Sequence, residues 1–268
     1  MALMAVDGTS FEWHGDSGSV VVLIHGLGLN KAMWQWQVPV LAQSYRVLTY
    51  DLYGHGDSQT PPSTPDLTLF STQLLKLLDE NDIESCAVLG FSLGGMICRR
   101  FAMDHPGRVS ALGILHSPHK RKAAAQDAIL KRVAQARQDG PSATVEAALD
   151  RWFTEGFRKS DQDRTGLVRR WVMANSKQVY PSIYQVLADG VDELVAPDPA
   201  ISCPTLVMTG DEDFGNSPEM SQAIAGEISG AQIKILPGLR HMAMVEDPGQ
   251  VNTVLLSFLD RVKGVANG

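Results

Sequence analysis

The sequence predicts an α/β domain: a mostly parallel central sheet flanked by helices, with a helical block inserted after the sixth strand. Three observations predict it. Short apolar runs recur along the 268-residue chain and alternate with helical patterns, the order that builds a parallel sheet. From His116, helical patterns alone then run on for about eighty residues before strands return. Finally, the stretch Ser85–His105, SCAVLGFSLGGMICRRFAMDH, passes from a buried strand into a helix through Gly90-Phe91-Ser92-Leu93-Gly94. A turn this tight strains its central residue, which exposes the serine hydroxyl at the positive end of the following helix. Those are the demands of a nucleophilic serine.

The elements follow in order. Residues 3–13 suit a short hairpin turning at Asp7-Gly8. Val20–His25 (VVVLIH) is apolar throughout, so it is expected as a strand buried on both faces. Its end, His25-Gly26-Leu27-Gly28, is a loop able to present backbone N–H groups, and His25 is expected to brace that loop through the backbone. Lys31–Gln43 is a helix weakened or split by Pro39. Arg46–Tyr50 is the next strand, and Asp51–Ser58 is a structural turn. It lacks the G-x-G-x-x-G of a dinucleotide loop, since Gln59 stands where the third glycine belongs. Thr68–Asn81 is an amphipathic helix with Leu69, Leu74, Leu75 and Leu78 inward. After the Ser92 turn and its helix comes a strand at Ala111–Leu115. Helices are expected at Ala123–Gln138, Thr144–Phe153 and Leu167–Ser176, strands at Thr205–Thr209 and Gln232–Leu236, and a closing helix at Gly249–Val262. The domain boundaries expected are a core of residues 1–117 and 197–268 and a cap of residues 118–196.

Composition excludes several classes. The net charge of −7 disfavours a nucleic-acid partner, which calls for a basic face. The 3 cysteines lack framework spacing, so a reducing compartment is expected. The N-terminus, MALMAVDGTSFEW, lacks a basic region and meets Asp7 early, which argues against a signal peptide. No run reaches the roughly 18 apolar residues of a membrane span. A cytoplasmic protein with no membrane association is expected.

A serine nucleophile needs a base, and the base needs an orienting acid. Of the 7 histidines, His241 follows a strand and a Pro237-Gly238 turn and precedes the last helix. That places it at the carboxyl edge of the sheet, where sites in open α/β folds collect. The acid is expected from the loop after Thr205–Thr209, which offers Asp211, Glu212 and Asp213. Asp213 is favoured because two residues beyond Asp211 give reach toward the His241 loop, while Asp211, nearest the strand, is suited to brace the turn. His116 and His119 are three apart, but no third ligand stands at metal spacing. No metal and no cofactor are expected.

The order and spacing of these pieces resemble the α/β-hydrolase superfamily over essentially the whole chain. The matching pieces are His25-Gly26-Leu27-Gly28, Asp51-x-x-Gly54-x-Gly56-x-Ser58, Gly90–Gly95, Pro204-Thr205-Leu206 with Gly210–Asp213, and Gly238–His241 with Glu246-Asp247-Pro248. The chain order Ser92, Asp213, His241 is the one expected on that fold. The resemblance implies an acid at the third residue after the glycine, again Asp213, and an oxyanion hole from the backbone N–H groups of Leu27 and Leu93. Ala147–Phe157 (AALDRWFTEGF) is similar to 3-oxoadipate enol-lactonases.

The expected activity is therefore hydrolysis of a small carboxylic ester or lactone. Carbon–carbon bond hydrolysis of a ring-fission product, perhydrolysis and non-catalytic small-molecule reception are the alternatives on the same fold. Between Pro118 and Ala196 stand 13 Lys/Arg against 10 Asp/Glu, which leaves 10 against 20 elsewhere, given totals of 23 and 30. Ordinary solvated helix faces account for that balance, and the alternative is a relatively basic lid suited to an anionic substrate. Trp34 and Trp152 are the aromatic candidates for the substrate pocket.

Overall fold

The computed structural model describes residues 2–266. The strands are β1 (Leu3–Met4), β2 (Ser10–His14), β3 (Val20–Ile24), β4 (Arg46–Tyr50), β5 (Cys86–Phe91), β6 (Val109–Leu115), β7 (Thr205–Gly210) and β8 (Gln232–Leu236). They form one sheet in the order β1-β2-β4-β3-β5-β6-β7-β8. β1 and β2 are antiparallel additions at one side, and every pair from β4 to β8 is parallel.

The apolar runs become central strands because both sheet faces are covered. Alternate residues enter opposite layers. Val22, Ile24, Val88 and Ile114 join one buried cluster, with Leu74 and Phe101 from the helices Leu67–Glu80 and Leu93–Asp104. Val21, Leu23, Leu89 and Leu115 join the other, with Leu255 and Phe258 from the helix Pro248–Ala266. The helix Leu67–Glu80 buries Leu67, Phe70, Leu74, Leu77 and Leu78, a stripe at helical spacing; Leu69 and Leu75 lie on its flank, half-buried.

Pro39 has the expected effect. Lys31–Trp36 is a 3-10 helix, and a separate short helix, Val38–Leu41, follows with Pro39 in its first turn. Trp34 is fully buried in the second core cluster and lies outside the cavity described below, which corrects its assignment to a substrate pocket. The reason is its place among Met33, Leu41 and Leu29, where the sheet face needs filling.

Between β6 and β7 the chain is helical, with helices at Ala123–Asp139, Val145–Trp152, Glu155–Ser160, Gln162–Met173 and Tyr180–Asp189. Tyr180–Asp189 begins with proline in its first turn and buries Tyr180, Ile183 and Tyr184. This block is tied to the core at two loops. Met242 N–H donates to the Trp152 carbonyl at 2.9 Å, and Arg240 reaches the carbonyls of Asp150 and Phe153 at 3.0 Å each. Asn175 Nδ2 donates to the Gly28 carbonyl at 2.9 Å.

Because β3 to β8 run parallel, their carboxyl ends share one edge. Leu27, Ser92, His116, Asp213 and His241 all lie in loops or turns at that edge. β3 and β5 are neighbours, yet the chain leaves them toward opposite sides of the sheet, so a crevice opens between their ends.

Candidate active site

Ser92 joins β5 to the helix Leu93–Asp104 with φ 55° and ψ −112°. A positive φ at a residue bearing a Cβ is strained, and here packing enforces it. A Cβ on Gly90 would lie 2.0 Å from the Gly94 carbonyl oxygen, and one on Gly94 would lie 2.3 Å from that of Ile24. Only glycine permits the turn to close against β3. Ser92 N–H donates to the Leu115 carbonyl at 2.8 Å, which fixes the turn to the neighbouring strand. Leu93 opens the helix, so its N–H has no intrahelical acceptor.

Two buried histidines hold the loop after β3. His25 Nε2 accepts from Leu52 N–H at 3.0 Å, so its Nδ1 carries the proton and donates to the Gly26 carbonyl at 2.8 Å. His55 Nε2 accepts from Gly28 N–H at 2.9 Å. Their rings meet edge-on, 5.1 Å apart. Burial pushes both imidazoles toward the neutral form, His25 to about 4 and His55 to about 3. Asp51, fully buried, accepts from the Lys31 backbone N–H and ammonium at 2.7 Å each and completes the floor of this loop. The Asp51–Ser58 turn thus serves the loop carrying Leu27.

His241 Nδ1 lies 2.7 Å from Asp213 Oδ2. Asp213 is buried, and its other oxygen accepts the N–H groups of Gly215 and Asn216 at 3.2 and 3.0 Å. Burial alone would raise its pKa. The electrostatic pull of His241 and the hydrogen bonds from His116 and His241 overcome that and hold it well below the usual carboxylate range. A carboxylate only accepts, so His241 carries its proton on Nδ1 and, when neutral, keeps the Nε2 lone pair free. Asp211 is occupied elsewhere: its Oδ1 accepts from Gly238 N–H at 2.7 Å and Leu239 N–H at 3.3 Å. Glu212 pairs with Arg240.

Nothing in the sequence points to His116 beside this pair. His116 follows β6 with φ 48° and is fully buried. Its Nδ1 lies 3.0 Å from the same Asp213 oxygen that His241 contacts. Asn216 Nδ2 holds its carbonyl at 2.6 Å, and Thr209 Oγ1 stands 3.4 Å from its Nδ1. Its Nε2 is buried with no partner among the described residues. Burial lowers its pKa against the opposing influence of Asp213. Sequence spacing had set His116 beside His119, but His119 turns away to Glu227 at 2.9 Å. The nitrogen and oxygen atoms of His116, Asp213 and His241 fall within 4.8 Å of one another, and the contacts between them have hydrogen-bond lengths.

Ser92, Asp213 and His241 line one cavity of about 90 Å³, with Leu27 beside them. Trp152 also lines it, and its ring centroid is 6.0 Å from that of His241. From the helical insertion come Arg121, Arg132, Arg151 and Tyr184. The sequence signalled these arginines only as a surplus of basic residues, without naming one. Leu93 contributes no side chain to the cavity, being fully buried in the core.

A family model described as alpha/beta hydrolase fold matches residues 19–248. Among curated relatives, an (E)-2-((N-methylformamido)methylene)succinate hydrolase of Acinetobacter baylyi is 27% identical over 254 residues, 94% of each chain. A 3-oxoadipate enol-lactonase of the same organism is 27% identical over 242 residues, 90% of this chain and 88% of that one. Among solved structures, the enol-lactonase from Burkholderia xenovorans LB400 gives a TM-score of 0.88 at 26% identity, over 97% of this chain and 100% of that one.

Proposed function

The chain belongs to the alpha/beta hydrolase family, and from that premise we propose that it is a serine hydrolase cleaving a small carboxylic ester or enol-lactone through an acyl-enzyme on Ser92. One observation carries the reading. The cavity that holds Ser92 on its strained turn also holds an imidazole fixed, through Nδ1, on a buried carboxylate. The similarity to enol-lactonases in sequence and fold supports the lactone side of the substrate range.

In this mechanism the Ser92 oxygen attacks the substrate carbonyl carbon while His241 Nε2 takes the hydroxyl proton. Asp213 keeps the imidazole in the tautomer that can accept there and stabilises the charged form that results. The carbonyl oxygen becomes negative and is received by the N–H groups of Leu27 and Leu93, the second of them at a helix N-terminus. Collapse of this intermediate breaks the bond to the leaving oxygen, which receives the proton from His241. Water then repeats the sequence: it gives a proton to His241, attacks the acyl carbon, and the acid leaves as Ser92 recovers its proton.

The test is turnover of the purified protein on a panel of small esters, enol-lactones and ring-fission diketones, with a fluorophosphonate as a covalent label. Hydrolysis of an ester or lactone with labelling of Ser92 is the expected result. Activity confined to the diketones would move the reading to carbon–carbon bond hydrolysis. Absence of turnover and of labelling would leave a binding protein.

A further inference from the structure

Several cations of the helical insertion are paired with carboxylates, and three that line the cavity are not. On its outer surface Arg158, Lys159, Arg164 and Arg169 each pair with a carboxylate, from Asp150, Glu155, Asp161 and Glu146. Arg121, Arg132 and Arg151, which line the cavity, do not. Each is anchored instead by one nitrogen on a neutral oxygen. Arg121 Nη1 reaches the Ala188 carbonyl at 3.3 Å, Arg132 Nε the Tyr184 hydroxyl at 3.0 Å, and Arg151 Nη1 the Ala147 carbonyl at 2.7 Å. No carboxylate oxygen among the described residues lies within 4.0 Å of their nitrogens. Asp189, Asp192 and Asp150 are the acids whose field they feel, all at longer range.

Three like charges in a partly buried space repel one another, and the acids that offset this act only at longer range, none of them in contact with a guanidinium. Burial, then the neighbouring Arg132, lowers Arg121 to about 10 and lowers Arg151 as well. Arg121 therefore still carries its charge at neutral pH. Arg132 is the cation whose charge both of the others feel, and all three line the one cavity. A guanidinium fork matches a carboxylate, and a pair of forks holds one firmly. One carboxylate would leave the three guanidinium groups with a net charge of two, whereas two carboxylates joined by a short carbon chain leave one.

We propose that Arg121, Arg132 and Arg151 form a binding subsite for two carboxylates of a single substrate, so that the molecule cleaved at Ser92 is a small ester or lactone bearing two carboxylate groups. The cleavage point rests on the serine-hydrolase reading above; the two carboxylates rest on the arginines alone.

The test is calorimetric titration of the Ser92→Ala protein, which keeps all three arginines, with succinate, glutarate and adipate, their monoethyl and diethyl esters, and inorganic phosphate. At least one dicarboxylate is expected to bind about tenfold tighter than its monoester, and the diester weaker still, the difference that a charge-assisted pair contributes. Arg132→Gln in the same background should reduce dicarboxylate affinity by about tenfold or more and leave diester binding unchanged. Arg132→Lys, which keeps the charge and the fold but loses the fork, should fall between. Equal binding of dicarboxylates and diesters overturns the proposal. So does dicarboxylate binding indifferent to both Arg132 variants, or phosphate binding tighter than every dicarboxylate. The two readings fail separately. If Ser92→Ala still hydrolyses esters while dicarboxylates bind as described, the serine reading falls and the subsite stands. If hydrolysis is lost but diesters bind as well as dicarboxylates, the subsite falls and the serine stands.

Discussion

The cavity has a floor and a roof built on opposite electrostatic terms. In the floor, supplied by the core, the charged groups are matched within the protein. Asp51 meets Lys31, His25 and His55 hold backbone groups, and Asp213 accepts from two imidazoles and two backbone N–H groups. In the roof, supplied by the insertion, three guanidinium groups meet only neutral oxygens. A matched region is preorganised: its groups do not rearrange when charge develops on a substrate. An unmatched region is incomplete until a ligand supplies the opposite charge, so it discriminates among ligands. On the proposals made above, chemistry falls to the floor and choice of substrate to the roof.

That division can be broken by experiment. The largest effect is expected at Ser92. Ser92→Ala should lower kcat by several orders of magnitude, up to about 10⁶-fold, and near-normal turnover would remove the serine from the mechanism. Asp213→Asn comes next. It favours the wrong imidazole tautomer and should reduce kcat by up to about 10⁴-fold with little change in KM. A change confined to KM would place Asp213 with the roof. His116→Phe removes one of the two N–H donors on Asp213 Oδ2 and leaves the His241 bond in place. Turnover should fall by only about tenfold, the worth of one charge-assisted hydrogen bond, accompanied by a lower Tm. A loss as deep as that of Asp213→Asn would make His116 a full partner in the chemistry.

The smallest effect concerns acid stability, and it belongs to the floor alone. His25 and His55 titrate at about 4 and about 3 in the folded protein, below the unfolded value of about 6.5. The unfolded chain therefore binds more protons as the pH falls below about 6.5. The stability these two residues contribute is complete above that pH and declines progressively toward their folded values. Each adds up to about 1.4 kcal/mol of loss per pH unit. Denaturant titrations at pH 7, 6 and 5 should show the midpoint falling, and His55→Gln should flatten the slope. A midpoint constant from pH 7 to 5 would mean that these imidazoles are not held neutral.

The same contrast explains what could be read without coordinates. The floor was legible because backbone geometry imposes residue types at fixed positions. A strand-to-helix turn this tight excludes a Cβ at Gly90 and Gly94, and the spacing records that exclusion. The strands were legible because both sheet faces are covered, so apolar runs are unbroken. The roof left no such trace. Arg121, Arg132 and Arg151 lie on or beside helices, where nothing in the backbone distinguishes a cavity-facing arginine from one on the surface. Only their total registered, as a charge surplus. His116 was hidden for another reason. Its neighbour in sequence, His119, suggested a pair, whereas its partner Asp213 is 97 residues away. Trp34 is misleading because an aromatic shortly after the loop that follows β3 suits a pocket wall as well as a core, and packing decides for the core.

The loop carrying Asp213 and the loop carrying His241 are joined by more than their shared hydrogen bond. Asp211 N–H donates to the Leu236 carbonyl at 2.9 Å and Glu212 N–H to the Leu239 carbonyl at 3.0 Å, while the Asp211 side chain accepts back from Gly238 and Leu239. A Cβ on Gly210 would lie 2.1 Å from the Leu239 carbonyl oxygen, so the two backbones run together without a side chain between them. The loops consequently form one small rigid body. Thermal motion of this corner carries acid and imidazole in step. The Asp213–His241 separation is insulated from that motion.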